Sequence, residues 1–139
     1  MPTTIDSTRF GRIEVALDSA IDFPHGLAGL DSRRFTLIAR AEDDAFVWLH
    51  SLEDPALALP LADPRRFFAG FALEPAPAAD AAIYVTVRPS ERLEDFTASL
   101  RAPIVIAEGI GQQVINEAAG ADLRAPLFAE LAAAAERAA

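Results

Sequence analysis

The sequence predicts an all-β chain: a small antiparallel β-barrel-like or sandwich domain with a C-terminal helix. Three observations carry this expectation. Short apolar runs rich in branched and aromatic residues recur about every ten residues, the spacing of a sandwich or barrel. Ten prolines punctuate the chain, with Pro55, Pro60, Pro64, Pro75 and Pro77 crowding its middle, where each would break a long helix. Only the end, "APLFAELAAAAERAA", changes character: it is Ala-rich, with Leu127, Phe128 and Leu131 at helical spacing and Pro126 suited to a first turn. The expected organisation is one domain over residues 1–139 with a helical tail at about 125–139.

Each element follows from its own pattern. In "GRIEVAL", Ile13, Val15 and Leu17 alternate with Glu14 and Ala16, so one face can be buried. "FPHGLAGL" interrupts this with Pro24, Gly26 and Gly29, a turn or tight loop. "FTLIAR" resumes the alternation, with Phe35, Leu37 and Ala39 on one face. "AEDDA" at 41–45 reads as a charged turn, and "FVWLHSL" at 46–52 as a strand. "EDPALALPLADPRRFF" reads as turn, short strand, turn, with Asp54-Pro55 and Asp63-Pro64 as turn starters. "GFALE" adds a short strand. "AAIYVTVR" at 81–88 is the cleanest strand signal, with Ile83, Val85 and Val87 sharing a face. "LRAPIVIAE" and "QQVIN" form a hairpin-like pair around Gly109 and Gly111, with Pro103 at an edge or bulge because it cannot donate to a ladder.

Composition narrows the function. At 52% hydrophobic and 24% charged, the chain has the means to build a core and is not a disordered polymer. It has no cysteine, so neither disulfides nor a thiolate site enter. It contains no apolar run of about 18 residues for a membrane span, and "MPTTIDSTRFGR" lacks the apolar centre of a signal peptide. A cytoplasmic location is expected. The net charge of −9 argues against direct nucleic-acid binding, which needs a basic face. An acidic surface serves solubility first and permits a basic protein partner.

Catalytic patterns are weak. The two histidines, His25 and His50, sit in different elements and lack metal-site spacing. A Ser–His–Asp set is not excluded by counting, but no G-x-S-x-G elbow is present. "GIGQQV" lacks the third Gly and the Lys of a phosphate loop and reads as a turn. Glu42, Asp43 and Asp44 read as a solvated turn, without the alternate ligands and closing Glu of a calcium loop. No catalytic residue, metal ligand or cofactor is expected. Phe67, Phe68 and Phe71 have two readings: core packing, or an exposed aromatic anchor for a partner.

Four blocks occur in order: "TRFGRIEV", "FPHGLAGLDSRRFTLI", "WLHSLEDPALALPLADPRRFF" and "LRAPIVIAEGIGQQVI". Together they resemble the FliW family of flagellar assembly factors, from about Thr8 to Phe128. In the last block Leu100, Ala102, Pro103, Ile104, Val105 and Ile106 match the family pattern, while Ser99 and Ala107 replace its two flanking Asn residues. The Ala-rich tail is a further departure. The resemblance implies a non-enzymatic β-barrel-like protein that binds cytoplasmic flagellin and antagonises the translational regulator CsrA in a partner switch, relieving repression of flagellin translation. Within that implication, the acids Glu53, Asp54 and Asp63, with Glu42, Asp43 and Asp44, are candidates to meet a basic partner. Phe67 and Phe68, beside Leu57, Leu59 and Leu61, are candidates to grip an amphipathic segment. The alternative is a small barrel that binds a small molecule, or one that keeps only the flagellin-chaperone role. An interior filled by Ile83, Val85, Val87, Ile104 and Ile106 would speak against a ligand cavity.

Overall fold

A computed structural model describes residues 3–39, 46–68 and 70–128. Strands β1 (Thr3–Ser7) and β2 (Gly11–Val15) make a separate antiparallel hairpin, from Thr3 opposite Val15 to Ser7 opposite Gly11. The main sheet follows: β3 (Ile21–Asp22), β4 (Arg34–Ile38), β5 (Phe46–Ser51), β6 (Ala58–Ala62), β7 (Ala82–Arg88), β8 (Thr97–Ala98), β9 (Ile104–Ala107), β10 (Ile110–Gln113) and β11 (Ala125–Pro126). A one-turn helix, α1 (Pro64–Phe67), follows β6.

Pairing runs β11-β8-β7-β6-β5-β4-β3-β10-β9, and β9 returns to β7. That return closes a seven-stranded barrel from β3, β4, β5, β6, β7, β9 and β10, with β8 and β11 extending from its β7 seam. The expected purely antiparallel sheet needs correction here: Ile110 of β10 pairs with Asp22 of β3 in parallel. Parity is the reason. In a closed ring of seven strands, up-down alternation cannot be completed, so one neighbouring pair must run the same way. The other barrel pairs are antiparallel.

Two apolar clusters result. The barrel interior holds Ile21, Phe23, Leu27, Phe35, Leu49, Leu61 and Ile104, with Tyr84 and Ile106 packed against them. A second cluster lies on the other face of β6 and β7, where Ala62, Val85 and Val87 meet Ala98, Leu100, Ala121, Ala125 and Leu127. The interior is therefore filled and apolar, with Ile104 and Ile106 there as expected, but Val85 and Val87 are not. Val85 and Val87 point to the outer cluster, and Tyr84 takes the inward position on β7. Because β6 and β7 are covered on both faces, their alternation does not separate a buried side from a wet one.

The hairpin between β9 and β10 turns on Glu108 (φ 53°) and Gly109 (φ 77°). Two successive left-handed residues are the signature of the two-residue turn that matches strand twist. Gly111, grouped with that turn in the sequence reading, instead lies within β10 beneath the Phe23 ring. Pro103 sits just before β9, buried, with its carbonyl accepting from Val114 N at 3.0 Å.

Two further expectations change. "GFALE" is not a strand; Leu73 alone is buried there. Its backbone is satisfied by a side chain, since Asn116 Nδ2 donates to Ala72 O (2.9 Å) and Asn116 Oδ1 accepts from Glu74 N (3.1 Å). The tail does not begin as a helix: Ala125 pairs with Ala98 and Pro126 with Thr97 as β11. A strand at that position brings Ala125 and Leu127 into the outer cluster. The remainder of the expected helix, 129–139, lies outside the described residues, as does the charged turn at 41–45.

Candidate functional site

The acidic candidates sit on the turn between β5 and β6 and at the end of β6. Ser51, fully buried at the end of β5, organises the turn: its Oγ accepts from Glu53 N and Asp54 N, both at 2.9 Å, and donates to Ser32 Oγ at 2.7 Å. Asp54 Oδ1 accepts from Ala56 N (2.9 Å), closing an Asx turn in front of β6. Glu53 reaches back to β4, where its Oε1 accepts from Arg33 N (2.6 Å) and Arg34 N (3.0 Å). These two backbone donors, first Arg33 and then Arg34, hold the Glu53 carboxyl below its ordinary range, because they stabilise the charged form. Asp63 caps α1, with Oδ1 accepting from Arg65 N at 3.0 Å. Burial, and then the nearby Asp63 charge, push the Tyr84 phenol upward.

The Glu53 clamp has a testable consequence. A carboxyl depressed in the folded state adds stability above its unfolded pKa and loses it as pH falls through the folded value. Wild type should thus exceed Glu53→Gln in denaturant midpoint at neutral pH, with the gap closing as pH falls below the ordinary glutamate range. A gap that stays constant over this range would remove Glu53 from acid unfolding.

Phe67 and Phe68 are half-buried and pack against the outer cluster. Phe67 packs tilted against Phe46 at 5.2 Å and edge-on to Phe128 at 5.9 Å between ring centroids. Leu57, Leu59 and Leu61 belong to the barrel-interior cluster instead, and Leu61 is fully buried. The aromatic and leucine candidates are thus parts of two different clusters. Glu42, Asp43 and Asp44 lie outside the described residues.

One pairing has no sequence signal. His50 is fully buried, its Nδ1 2.8 Å from Ser51 O and its Nε2 2.7 Å from Ser7 Oγ. A carbonyl only accepts, so Nδ1 carries the hydrogen and Nε2 accepts from the Ser7 hydroxyl. Ser7 Oγ in turn accepts from Arg9 N and Phe10 N. Phe10 edges onto Trp48 at 5.6 Å, and the Arg9 guanidinium lies 4.5 Å over the same indole. This serine–histidine pair has no carboxylate behind it and is closed to solvent. It clasps the β1–β2 hairpin to the barrel. His25 is exposed and distant in sequence from any partner set; among the described residues no group of three His, Cys, Asp or Glu side chains gathers as a metal site.

The family model for "FliW protein" matches residues 4–127, from the first hairpin through β11. The chain belongs to the FliW family. A relative from Desulfitobacterium hafniense, named flagellar assembly factor FliW, is 32% identical over 139 residues, covering 91% of each chain. The FliW of Moorella thermoacetica is 33% identical, covering 89% of this chain and 87% of its own. A crystal structure of the flagellar assembly factor FliW superposes with a TM-score of 0.79 at 28% identity, over 91% of this chain and 97% of that one. The shared fold accounts for the ordered sequence blocks: they hold β2, β4, most of β5, β6 with α1, and the β9–β10 hairpin. FliW is a family of assembly factors and not of enzymes, which agrees with the closed Ser7–His50 pair. No helix among the described residues is long and apolar enough to cross a membrane.

Proposed function

We propose that this FliW protein is a single-domain cytoplasmic factor that binds flagellin and antagonises CsrA in a partner switch. Free flagellin occupies it; once flagellin is exported, it binds CsrA and relieves repression of flagellin translation. The observation that carries the reading is the family match over residues 4–127 on a barrel whose interior is filled with apolar side chains. Such a barrel has no room for an enclosed substrate and acts through its surface. The exposed acids Glu53 and Asp54, and half-buried Asp63, suit a basic protein face. Phe67 and Phe68 remain candidate contacts for flagellin, through the parts of their rings that stay accessible. Direct nucleic-acid and membrane binding are not part of the reading, given the net charge of −9.

The test is calorimetry and pull-down of the purified protein against flagellin and CsrA of its own organism, separately and together. Binding to both, with one displacing the other, is expected; a switch needs each partner to discriminate between states by a few kcal/mol, about 5.5 kcal/mol for a complete reversal. Flagellin binding alone would leave a chaperone without the regulatory arm. Binding to neither would overturn the reading.

A further inference from the structure

An open cleft of about 630 Å³ lies at one end of the barrel. Its apolar lining includes Leu27 and Leu30 of the loop before β4, Leu59 of β6, Val87 of β7, Ile104 of β9, and Leu123. Leu123 is 68% exposed, a large apolar side chain with little covering it. Two arginines, Arg88 at the end of β7 and Arg124 before β11, line the same cleft, and both are exposed. Neither forms an ion pair with a described residue. Among the described residues no Asp or Glu lines the cleft, although the chain carries 21 acids against 12 arginines. On so acidic a protein, unpaired guanidinium groups have many carboxylates to choose from. With no ion pair to a described carboxylate, Arg88 and Arg124 leave a local positive patch around an apolar floor.

We propose that this cleft docks a protein partner through a peptide segment that carries carboxylates beside its apolar residues. Leu30, Leu59 and Leu123 receive the apolar side chains, and Arg88 and Arg124 pair with the carboxylates. Charge complementarity selects the acidic partner. The shape selects a peptide over a small metabolite: small-ligand sites enclose most of their ligand, whereas this cleft is open and the barrel beneath it is occupied by Phe23, Phe35, Leu49, Leu61 and Ile104. Arginines at the rim of an apolar patch are also the residue type that anchors interfaces, through forked bonds to carboxylates. The inference stands without the flagellin and CsrA reading.

The experiment uses labelled amphipathic helical peptides of about 14 residues, about four turns. Leucines lie at i, i+3, i+4 and i+7, flanked by Glu in one peptide, Gln in a second and Lys in a third. Fluorescence anisotropy should show the Glu peptide binding at least about tenfold more tightly than the Gln peptide. Arg88→Glu/Arg124→Glu should abolish that advantage and bind the Lys peptide instead, with the melting temperature unchanged. Arg88→Gln/Arg124→Gln, should the reversal disturb folding, should make the Glu and Gln peptides equal. Absence of saturable binding, equal binding of Glu and Gln peptides to wild type, or a Glu preference that survives both double variants would overturn the proposal. So would displacement by decanoate as effective as by unlabelled peptide, which would make the cleft a small-carboxylate site. Calorimetry of the same variants with flagellin and CsrA is read separately, so failure here leaves the assembly-factor reading untouched.

Discussion

Gly111→Ala should lower the melting temperature by roughly 10 °C, the largest single-methyl effect in the protein. A Cβ built at Gly111 would lie 2.7 Å from Cε1 of Phe23 and nearer still to Cζ. Phe23 is fully buried and stands edge-on to Phe35, also fully buried, at 5.3 Å between centroids. The ring cannot swing aside, because the barrel encloses it. The added methyl must therefore push apart β10 and the core. Overpacking of a closed core costs about 1–3 kcal/mol, with the upper end expected where the neighbour is rigid. In a chain of this length each kcal/mol moves Tm by about 3–5 °C. Phe23→Leu costs stability by itself, but in the Gly111→Ala background it should cost less, because the smaller side chain makes room for the methyl. A double-mutant cycle should show that favourable coupling. A Gly111→Ala protein melting within about 1 °C of wild type would mean that β10 is free to move away.

Asn116→Leu should have the second large effect, on the order of 3 kcal/mol. Asn116 is 1% exposed and uses its whole amide. Nδ2 donates to Ala72 O (2.9 Å) and Leu100 O (3.1 Å), while Oδ1 accepts from Glu74 N (3.1 Å) and Ala118 N (3.0 Å). One side chain thus ties the segment around Leu73 to the approach to β9 and to the turn at 117–120. Leucine keeps the same number and branching of side-chain heavy atoms, so the main loss is that of hydrogen bonds. Each buried backbone group left without a partner costs about 1–3 kcal/mol, reduced where water can enter. Hydrogen exchange should quicken at the Glu74 and Ala118 amides before the barrel strands are affected. Unchanged exchange at those amides, with an unchanged denaturant midpoint, would show that the segment is held by other contacts.

These two residues illustrate where the sequence was readable. Gly111 was noticed, but as half of a turn with Gly109. A glycine two residues beyond a hairpin turn and a glycine within it look alike in one dimension. Only the position of Phe23, some ninety residues away, separates them. Asn116 carried no signal at all, because its partners come from three separate stretches. His50 was weighed as a metal ligand or base. Its burial against Ser7 depends on how the β1–β2 hairpin folds over β5.

The candidate surfaces divide in the same way. Glu53, Asp54 and Asp63 were recognisable as acids near prolines, hence as turn and cap formers, and their backbone hydrogen bonds agree with that local chemistry. The proximity of Phe67 and Phe68 to Leu57, Leu59 and Leu61 in the chain suggested a common groove. Instead, Leu57, Leu59 and Leu61 pack with the barrel interior, while Phe67 and Phe68, at the end of α1, pack against the outer cluster. The acid-free cleft was invisible, since its lining comes from elements spread from Leu27 to Arg124.

The sequence alone determined the β character, most strand positions, the hairpin at 104–113 and the family, because these rest on local propensity, turn chemistry and the order of blocks. Tertiary structure alone decided how the ring closes with one parallel pair, which face of β7 meets which cluster, and where residues 125 and 126 go. Alternation says that a strand has two faces, but not what each will touch. For Ala125 and Pro126, pairing with β8, with Ala125 and Leu127 buried in the outer cluster, outweighed the helical propensity of an Ala-rich run.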